Sequence, residues 1–451
     1  MEKIKPRTLS GFMELLPERQ MHMERMMAVL RESFALYGFT PLDTPIIESA
    51  EVLLAKGGGE TDKQIYELKR GDTNLALRFD LTVPLAKYVA KNYASLAFPF
   101  KRYQIGKVYR GERAQRGRFR EFYQADIDVI GDGSLDIISD AEIPAIIYRV
   151  FSAMGLRKFK IRVNNRKLLN GFFELCGQTE RAGDIMRAID KLDKIGAEKV
   201  RELILDLGTP ENVTDDIMSF IGASGDSAER FDALSGYRGR SDLFDAGFGE
   251  LSAVAGLMSA FGVPDSNFEI DFTIARGLDY YTGTVYETIM TEHPEIGSIC
   301  SGGRYDNLAE YYTERKLPGV GISIGLTRLF YVLDEQGYLN GELSTAPADV
   351  LVLPMAGDLG VAAAAATVLR GRGVRVQMHC EDKKLKAKLQ YADKLKIPFV
   401  LFIGEEEISL GKVTLKNLDT GAQQTLAAEE AAEIVAAYVE SRNRDTVLRD
   451  K

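Results

Sequence analysis

The sequence predicts a mixed domain of helices and strands, an all-helical stretch set inside it, and a smaller α/β unit after it. Three observations carry this. Residues 100–131 read as two strands joined by a basic loop, and strand patterns return at 268–272 and 319–325. Between them, 165–262 is dense in helical periodicity and poor in strand patterns. From 349 onward, strand and helix patterns alternate. A chain of 451 residues fits two or three domains, at about 100–200 residues each. The boundaries fall at 1–164 with 263–335, at 165–262, at a polar linker 336–348, and at 349–451.

Composition narrows the function classes. Hydrophobic content is 45% and charged content 27%, enough for a sizeable core. The formal net charge of −9 argues against binding nucleic acid by bulk charge and leaves room for a local basic groove. The three cysteines, Cys176, Cys300 and Cys380, form no CxxC pair, which fits a reducing compartment and gives no zinc site. The three histidines are equally scattered, so no metal centre is expected. The first residues carry no apolar leader and no run reaches membrane-spanning length, so a cytoplasmic location, with no membrane association, is the expectation.

Taken in order, 18–37 reads as an amphipathic helix with Met23, Met26, Met27, Leu30, Phe34 and Tyr37 on one side, a stripe that reads as core packing. Gly38 ends it. Residues 39–48 are extended and hold Pro41 and Pro45, which places them at a sheet edge because proline donates no ladder hydrogen bond. Gly57, Gly58, Gly59 and Glu60 read as a surface turn or a mobile flap. Residues 65–68 and 75–80 form a hairpin about Gly71-Asp72-Thr73-Asn74. At its end Arg78, Asp80 and Thr82 share a face, with an ion pair as the plain account of the first two and a helix cap as that of Thr82.

Residues 100–131 hold the densest chemistry. Lys101, Arg102, Lys107, Arg110, Arg113, Arg116, Arg118 and Arg120 crowd the first part, with Glu112 among them. A turn at 114–118 follows. From Phe122 the residues alternate, Phe122, Gln124, Asp126 and Asp128 on one face and Tyr123, Ala125, Ile127 and Val129 on the other. A basic loop alone would be a polyanion contact. Carboxylates fixed beside it point to a phosphate site adjoining a site for a cationic or amine-bearing ligand.

Helices follow at 139–154, 168–175, 180–195, 198–207, 211–221 and 251–261, with Thr209-Pro210 opening the fifth. Glycine-rich runs at 275–287, 298–306 and 319–329 allow close approach of backbone to a ligand or crossing strand. The last leads from a strand into a helix, placing Arg328 in a first turn, where anions bind. The alternation after 349 predicts a small, mostly parallel sheet, and Lys383, Lys384, Lys386, Lys388, Lys394 and Lys396 crowd its second helix. Such a run is a solvated face or a polyanion contact.

Three separated runs resemble the motifs of a class II aminoacyl-tRNA synthetase. They are GFTPLDTPIIE with Pro45, VYRGERAQRGRFREFYQADIDVIG, and GVGISIGLTRL ending near Arg328. Two more, ARGLDYYTGTVYE and SGGRYD, resemble signatures of the histidyl-tRNA synthetases, and the likeness runs along nearly the whole chain. The resemblance implies a mainly antiparallel catalytic sheet, a helical insertion, and a C-terminal anticodon-binding-like α/β domain. It implies joining of L-histidine to the α-phosphate of ATP with loss of pyrophosphate, then transfer to the 3′ end of the tRNA for histidine. Its lysine-rich helix would then face tRNA, and the first motif implies a homodimer.

By motif match, Arg110 would hold the α-phosphate, with Arg276 a second cation there, and Glu112 the adenine end. Phe122 would stack on adenine, and Arg118 and Arg328 would hold the distal phosphates. Mg²⁺ is implied by the triphosphate, held mainly through phosphate oxygens, with no protein metal site. Arg110, Arg276 and Arg328 are the implied catalytic residues. Asp80, Leu81, Thr82, Gln124 and Asp128 would receive the amino acid, joined by Arg110 and Arg276, with Tyr280 and Tyr281 beside the imidazole. Gly302 and Gly303 read as pocket floor. Two departures stand out: Asp80 and Asp128 where many members carry glutamate, and Thr327 where a glutamate commonly precedes the arginine. The rival reading is a non-aminoacylating regulatory paralogue of ATP phosphoribosyltransferase. It typically lacks the anticodon domain and the arginine at position 276, both of which this sequence holds.

Overall fold

The computed structural model describes residues 3–55, 62–113, 115–275, 281–339, 345–355, 357 and 359–442. The glycine run 57–60, Ala114, Arg276 and Tyr280 lie outside these residues, as do positions 340–344 of the linker. Contacts divide the chain into two compact units. One is Met26–Tyr338 with the N-terminal segment through Glu14, and the other runs from Leu339 with Leu15–Arg25. The helical stretch 165–262 lies inside the first.

The chain runs α1 (Pro17–Leu36), whose residues from Met26 belong to the first unit, then β1 (Thr40–Pro41), β2 (Ile47–Ser49), α2 (Ala50–Leu53), β3 (Glu67–Arg70), β4 (Thr73–Leu77) and α3 (Thr82–Asn92). Then come β5 (Phe100–Tyr109), β6 (Glu121–Ile130), α4 (Ile138–Met154) and β7 (Phe159–Asn165). Helices α5 (Arg166–Leu175), α6 (Ala182–Ile189), α7 (Leu192–Ile195), α8 (Ala197–Asp206), α9 (Glu211–Ile221), α10 (Ser227–Ala233) and α11 (Asp242–Ala260) follow. Strands β8 (Phe268–Ile270), β9 (Thr284–Met290), β10 (Cys300–Tyr305) and β11 (Gly319–Ile324) and helix α12 (Leu326–Glu335) complete it.

An eight-stranded sheet in the order β1-β5-β6-β11-β10-β9-β7-β8 is the frame. Only its outer pairs, β1 with β5 and β7 with β8, are parallel. The neighbours between are antiparallel, so the sheet is mixed and mainly antiparallel, as expected. The proline segment does sit at an edge, as β1. Ala125, Ile127 and Val129 are fully buried on one face of β6, which leaves the alternate residues for the other. Helix α4 buries Ile143, Ile146, Ile147 and Val150, and Met26, Met27, Leu30 and Phe34 of α1 are core.

Several expectations are corrected. The hairpin turn is the pair Gly71-Asp72, with Gly71 at φ 59°, and Arg78 and Asp80 lie beyond the strand. Arg78 turns into the core, donating from Nε to the Lys107 carbonyl at 2.7 Å and from Nη1 to the Thr44 carbonyl at 2.5 Å, and it pairs with Asp43 rather than Asp80. The helix read at 180–195 is broken between α6 and α7, α10 was not foreseen, and the last insertion helix starts at Asp242 rather than 251. Glycine explains that late start. A Cβ on Gly171 would lie 2.3 Å from the Phe244 nitrogen, and one on Gly247 would lie 2.2 Å from the Leu168 nitrogen. Glycines, which disfavour helix, are what lets α5 and α11 approach backbone to backbone.

The second unit contains β12 (Val350–Pro354), α13 (Leu359–Gly371), β13 (Val376–Met378), α14 (Leu385–Lys394), β14 (Phe399–Ile403), α15 (Glu405–Leu410), β15 (Val413–Asn417), β16 (Gln423–Leu426) and α16 (Ala428–Arg442). Its sheet runs β13-β12-β14-β15-β16. Two pairings are parallel and two antiparallel, so it is mixed rather than mostly parallel. The connection 404–412 is shorter than the crossover of about a dozen residues that a parallel return needs. On α14, Lys386 and Lys394 are exposed while Lys388 is 6% exposed, so the lysine run is not uniformly solvated.

Candidate active site

A cavity of about 440 Å³ opens on the sheet face that Phe122, Gln124, Asp126 and Asp128 share. Strand β6 supplies a graded wall because its side chains alternate and its register with β5 and β11 is fixed. Cross-strand partners share a face, so Asp126, Ser323, Ser301 and Glu287 form one polar row across β6, β11, β10 and β9. The next row on that face is Asp128, Gly321 and Gly303. Glycine makes way for the neighbouring carboxylate there, since a Cβ on Gly321 would stand 2.3 Å from Oδ1 of Asp128. A Cβ on Gly303 would meet the Tyr281 ring at 3.0 Å. Gly302 lines the cavity too, and its missing Cβ clears the Gly321 carbonyl of the neighbouring strand, at 2.1 Å.

The cationic end lies around Arg110. Its guanidinium sits over the rings of Phe79 at 4.3 Å and Phe122 at 5.1 Å, and its Nε donates to the Phe79 carbonyl at 3.3 Å. These contacts aim the charge before any ligand arrives. Glu112 and Arg118 pair at 3.5 Å across the loop, and both line the cavity. The loop closes as a tight turn in which the Arg118 amide donates to the Gln115 carbonyl at 2.9 Å, with Gly117 at φ 71°. Gly117 faces Arg328, which lines the cavity from the first turn of α12 and donates to the Ile296 carbonyl. Thr327 binds β6: its Oγ accepts from the Tyr123 amide at 2.8 Å. The hydroxyl therefore ties α12 to the strand behind Phe122.

The carboxylate end is buried. Asp80 lines the cavity and its Oδ1 accepts from the Val83 and Thr82 amides at 2.9 and 3.2 Å, so Asp80, not Thr82, caps α3. Burial pushes its carboxyl up, opposed by the Val83 amide and by Arg110. Asp128 is held by two groups the sequence reading did not place at the site. Arg102 Nη2 is 2.6 Å from its Oδ2, and the Tyr305 hydroxyl donates to its Oδ1 at 2.5 Å. Burial raises the Asp128 carboxyl as well, with Arg102 pulling the other way. Gln124 donates to Ser323 at 2.5 Å. Asp126 lies between Gln124 and Asp128, and burial pushes its carboxyl to about 7.

Of the residues expected at the site, Asp80, Thr82, Arg110, Glu112, Arg118, Phe122, Gln124, Asp128, Tyr281 and Arg328 line this one cavity. Leu81 does not; its side chain is fully buried, and its carbonyl accepts from Arg102 at 3.2 Å. Asp126, Ser323, Ser301, Glu287 and Tyr305 also line it and were not expected as site residues. For Asp126 the signal was present, since it shares the face of Gln124 and Asp128. For the others only strand order brings them together. Chemically, the arrangement offers cations and an aromatic face at one end and buried acceptors at the other, suited to a phosphorylated nucleotide beside an amine-bearing ligand.

A family model described as histidyl-tRNA synthetase matches residues 11–329, and one described as an anticodon binding domain matches 349–438. A histidine--tRNA ligase of Clostridium tetani is 52% identical over 432 residues, covering 96% of this chain and 98% of that protein. The crystal structure of histidyl-tRNA synthetase from Nostoc sp. PCC 7120 superposes with a TM-score of 0.89 at 41% identity, over 97% of this chain and 100% of that one. A Bacillus halodurans structure described as an ATP phosphoribosyltransferase regulatory subunit/histidyl-tRNA synthetase shares the fold, with a TM-score of 0.73 at 21% identity over 89% of this chain and 98% of that one.

Proposed function

The chain belongs to the histidyl-tRNA synthetase family, and from that membership we infer its reaction. It is a histidine--tRNA ligase: it activates L-histidine with ATP to histidyl-adenylate and pyrophosphate, then transfers histidine to its tRNA. The observation that carries this is a single strand face, with Arg110 stacked on Phe122 at one end and the buried carboxylates Asp126 and Asp128 at the other. The two substrates meet along that face. The regulatory reading is disfavoured by the 349–438 anticodon-binding match and by Arg276.

In this reading Arg110 meets the α-phosphate, where negative charge builds as the histidine carboxylate attacks, and Arg276 adds a second cation. Because Arg110 is held by two rings and a carbonyl, little reorganisation accompanies the reaction. Arg118 and Arg328 take the distal phosphates, and Glu112 with Phe122 receives the adenine. Asp80, Thr82 and Gln124 receive the α-ammonium, and Tyr281 lies beside the imidazole. A side chain without ring nitrogens would leave buried polar groups unpaired, which is the basis of discrimination. Mg²⁺ would neutralise triphosphate charge. The ion would be carried mainly by phosphate oxygens.

The domain boundaries set out above stand as part of this proposal, with 165–262 as a helical insertion. So do the homodimer through the segment of Pro45, an anticodon contact by the exposed lysines of α14, and a cytoplasmic location. No described helix is long and apolar enough to cross a membrane. The test is histidine-dependent exchange of pyrophosphate into ATP, followed by charging of tRNA. Exchange with histidine and with no other amino acid is the expected result. A folded protein without it would overturn the reading.

A further inference from the structure

The loop that carries Glu112 and Arg118 is tied across itself by a partly exposed ion pair, which fixes a backbone only weakly. The backbone is held at both of its ends by segments that come long before it in the chain. The Gly111 amide donates to the Gln64 carbonyl at 2.7 Å, and the Arg120 amide donates to the Gly11 carbonyl at 2.7 Å. The Glu121 amide shares that second acceptor at 3.4 Å. Residues 3–10 are exposed and 11–13 are half-buried, so Gly11 is where the N-terminal segment meets the fold.

Arg120 carries this contact to the cationic end of the cavity. Its carbonyl accepts from the Arg110 amide at 2.9 Å, and its Nε donates to the Glu112 carbonyl at 3.1 Å. Arg110 and Glu112 are residues that meet ATP in the ligase reading. Position 11 suits glycine for two reasons. Its φ is 84°, in the left-handed region that side chains avoid, and a Cβ there would lie 2.8 Å from Cγ and 3.0 Å from Cδ of Arg120. The side chain that reaches Glu112 therefore runs through the space a Cβ would take. Resting on the ligase reading above, we propose that Gly11 is a positioning residue for the nucleotide and acts through Arg120. The Gly11 carbonyl and bare Cα set Arg120, and Arg120 sets the backbones of Arg110 and Glu112.

The test measures KM for ATP and for histidine in pyrophosphate exchange, for wild type, Gly11→Ala, Arg120→Met and the double variant. Gly11→Ala should raise the ATP KM about tenfold, the scale of one lost hydrogen bond. The histidine KM should stay within about twofold, because Asp80, Thr82 and Gln124 are untouched. Arg120→Met keeps the stem and removes the donor, and it should give the same pattern. The two changes act along one line of contacts, so the ATP KM of the double variant should exceed that of the worse single variant by no more than about twofold. A merely structural role would raise both KM values together. That result, an unchanged ATP KM, or single effects that multiply in the double variant overturns the proposal. If Gly11→Ala does not fold, Arg120→Met carries the comparison of ATP with histidine. A wild type without histidine-dependent exchange overturns the ligase reading. A wild type with exchange, and variants that match it, overturns this inference alone.

Discussion

The two ends of the cavity face of β6 are built differently. At the outer end the charges are solvated: side-chain exposure is 44% for Arg118 and 71% for Arg116, which pairs with Glu335 at 2.8 Å. At the inner end the Arg102–Asp128 pair is 0% and 4% exposed. The outer cations are held by their own loop and by α12, so removing one leaves its neighbours in water. The inner pair has replaced water altogether, so each partner depends on the other. One end can adjust its exposed cations, and the other is a fixed, buried pair.

Substitutions at the two ends should separate accordingly. The largest effect is expected from Arg102→Met, which strands Asp128 in the core. Unfolding stability should fall by about 3–5 kcal/mol, the cost of an uncompensated buried charge. Denaturant unfolding measures this, and a loss under about 1 kcal/mol would mean that the inner end tolerates change as the outer end does.

Next is the pH dependence of Asp126, which Arg102, Asp128 and Asp80 all face. Its folded value, about 7, stands above the ordinary carboxylate value near 4. The folded protein therefore holds a proton that the unfolded chain releases. This stabilisation is complete below about pH 4 and is lost as pH rises to about 7, a span worth on the order of 4 kcal/mol. Asp126→Asn removes that dependence. The unliganded variant should therefore gain thermal stability relative to wild type from pH 5 to pH 8. A constant difference across that range would show that Asp126 is solvated.

The smallest effect is expected from Arg116→Ala, within about 1 kcal/mol of wild type in unfolding because its ion pair is exposed. A larger loss would make the outer end a rigid template too.

Much of this face was legible from spacing. Alternation along 122–129 separated the core residues from the cavity residues, and the glycines at 302, 303, 319 and 321 marked close approach. The basic loop read correctly because a turn and its charges are local. Three things were not legible. Asp128 is held by Arg102 and Tyr305, which come from β5 and β10 and meet it only through sheet order. Thr327 reads as a lost carboxylate, yet it serves as an acceptor for Tyr123. Gly171 and Gly247 carry no signal of their own in the sequence, and their meaning appears only when two helices cross.

The sequence by itself determined the periodicities, the motifs and therefore the family, because these depend on residue type and short-range spacing. Only the tertiary structure decided what each carboxylate of that face is set against. Asp126 and Asp128 are the same residue type on the same strand face, two positions apart. They differ in what the neighbouring strands set opposite them: Arg102 directly across from Asp128, Gln104 across from Asp126. Gln104 donates to Asp43 and Thr44 instead, so the register that sets a cation against one carboxylate sets an amide engaged elsewhere against the other.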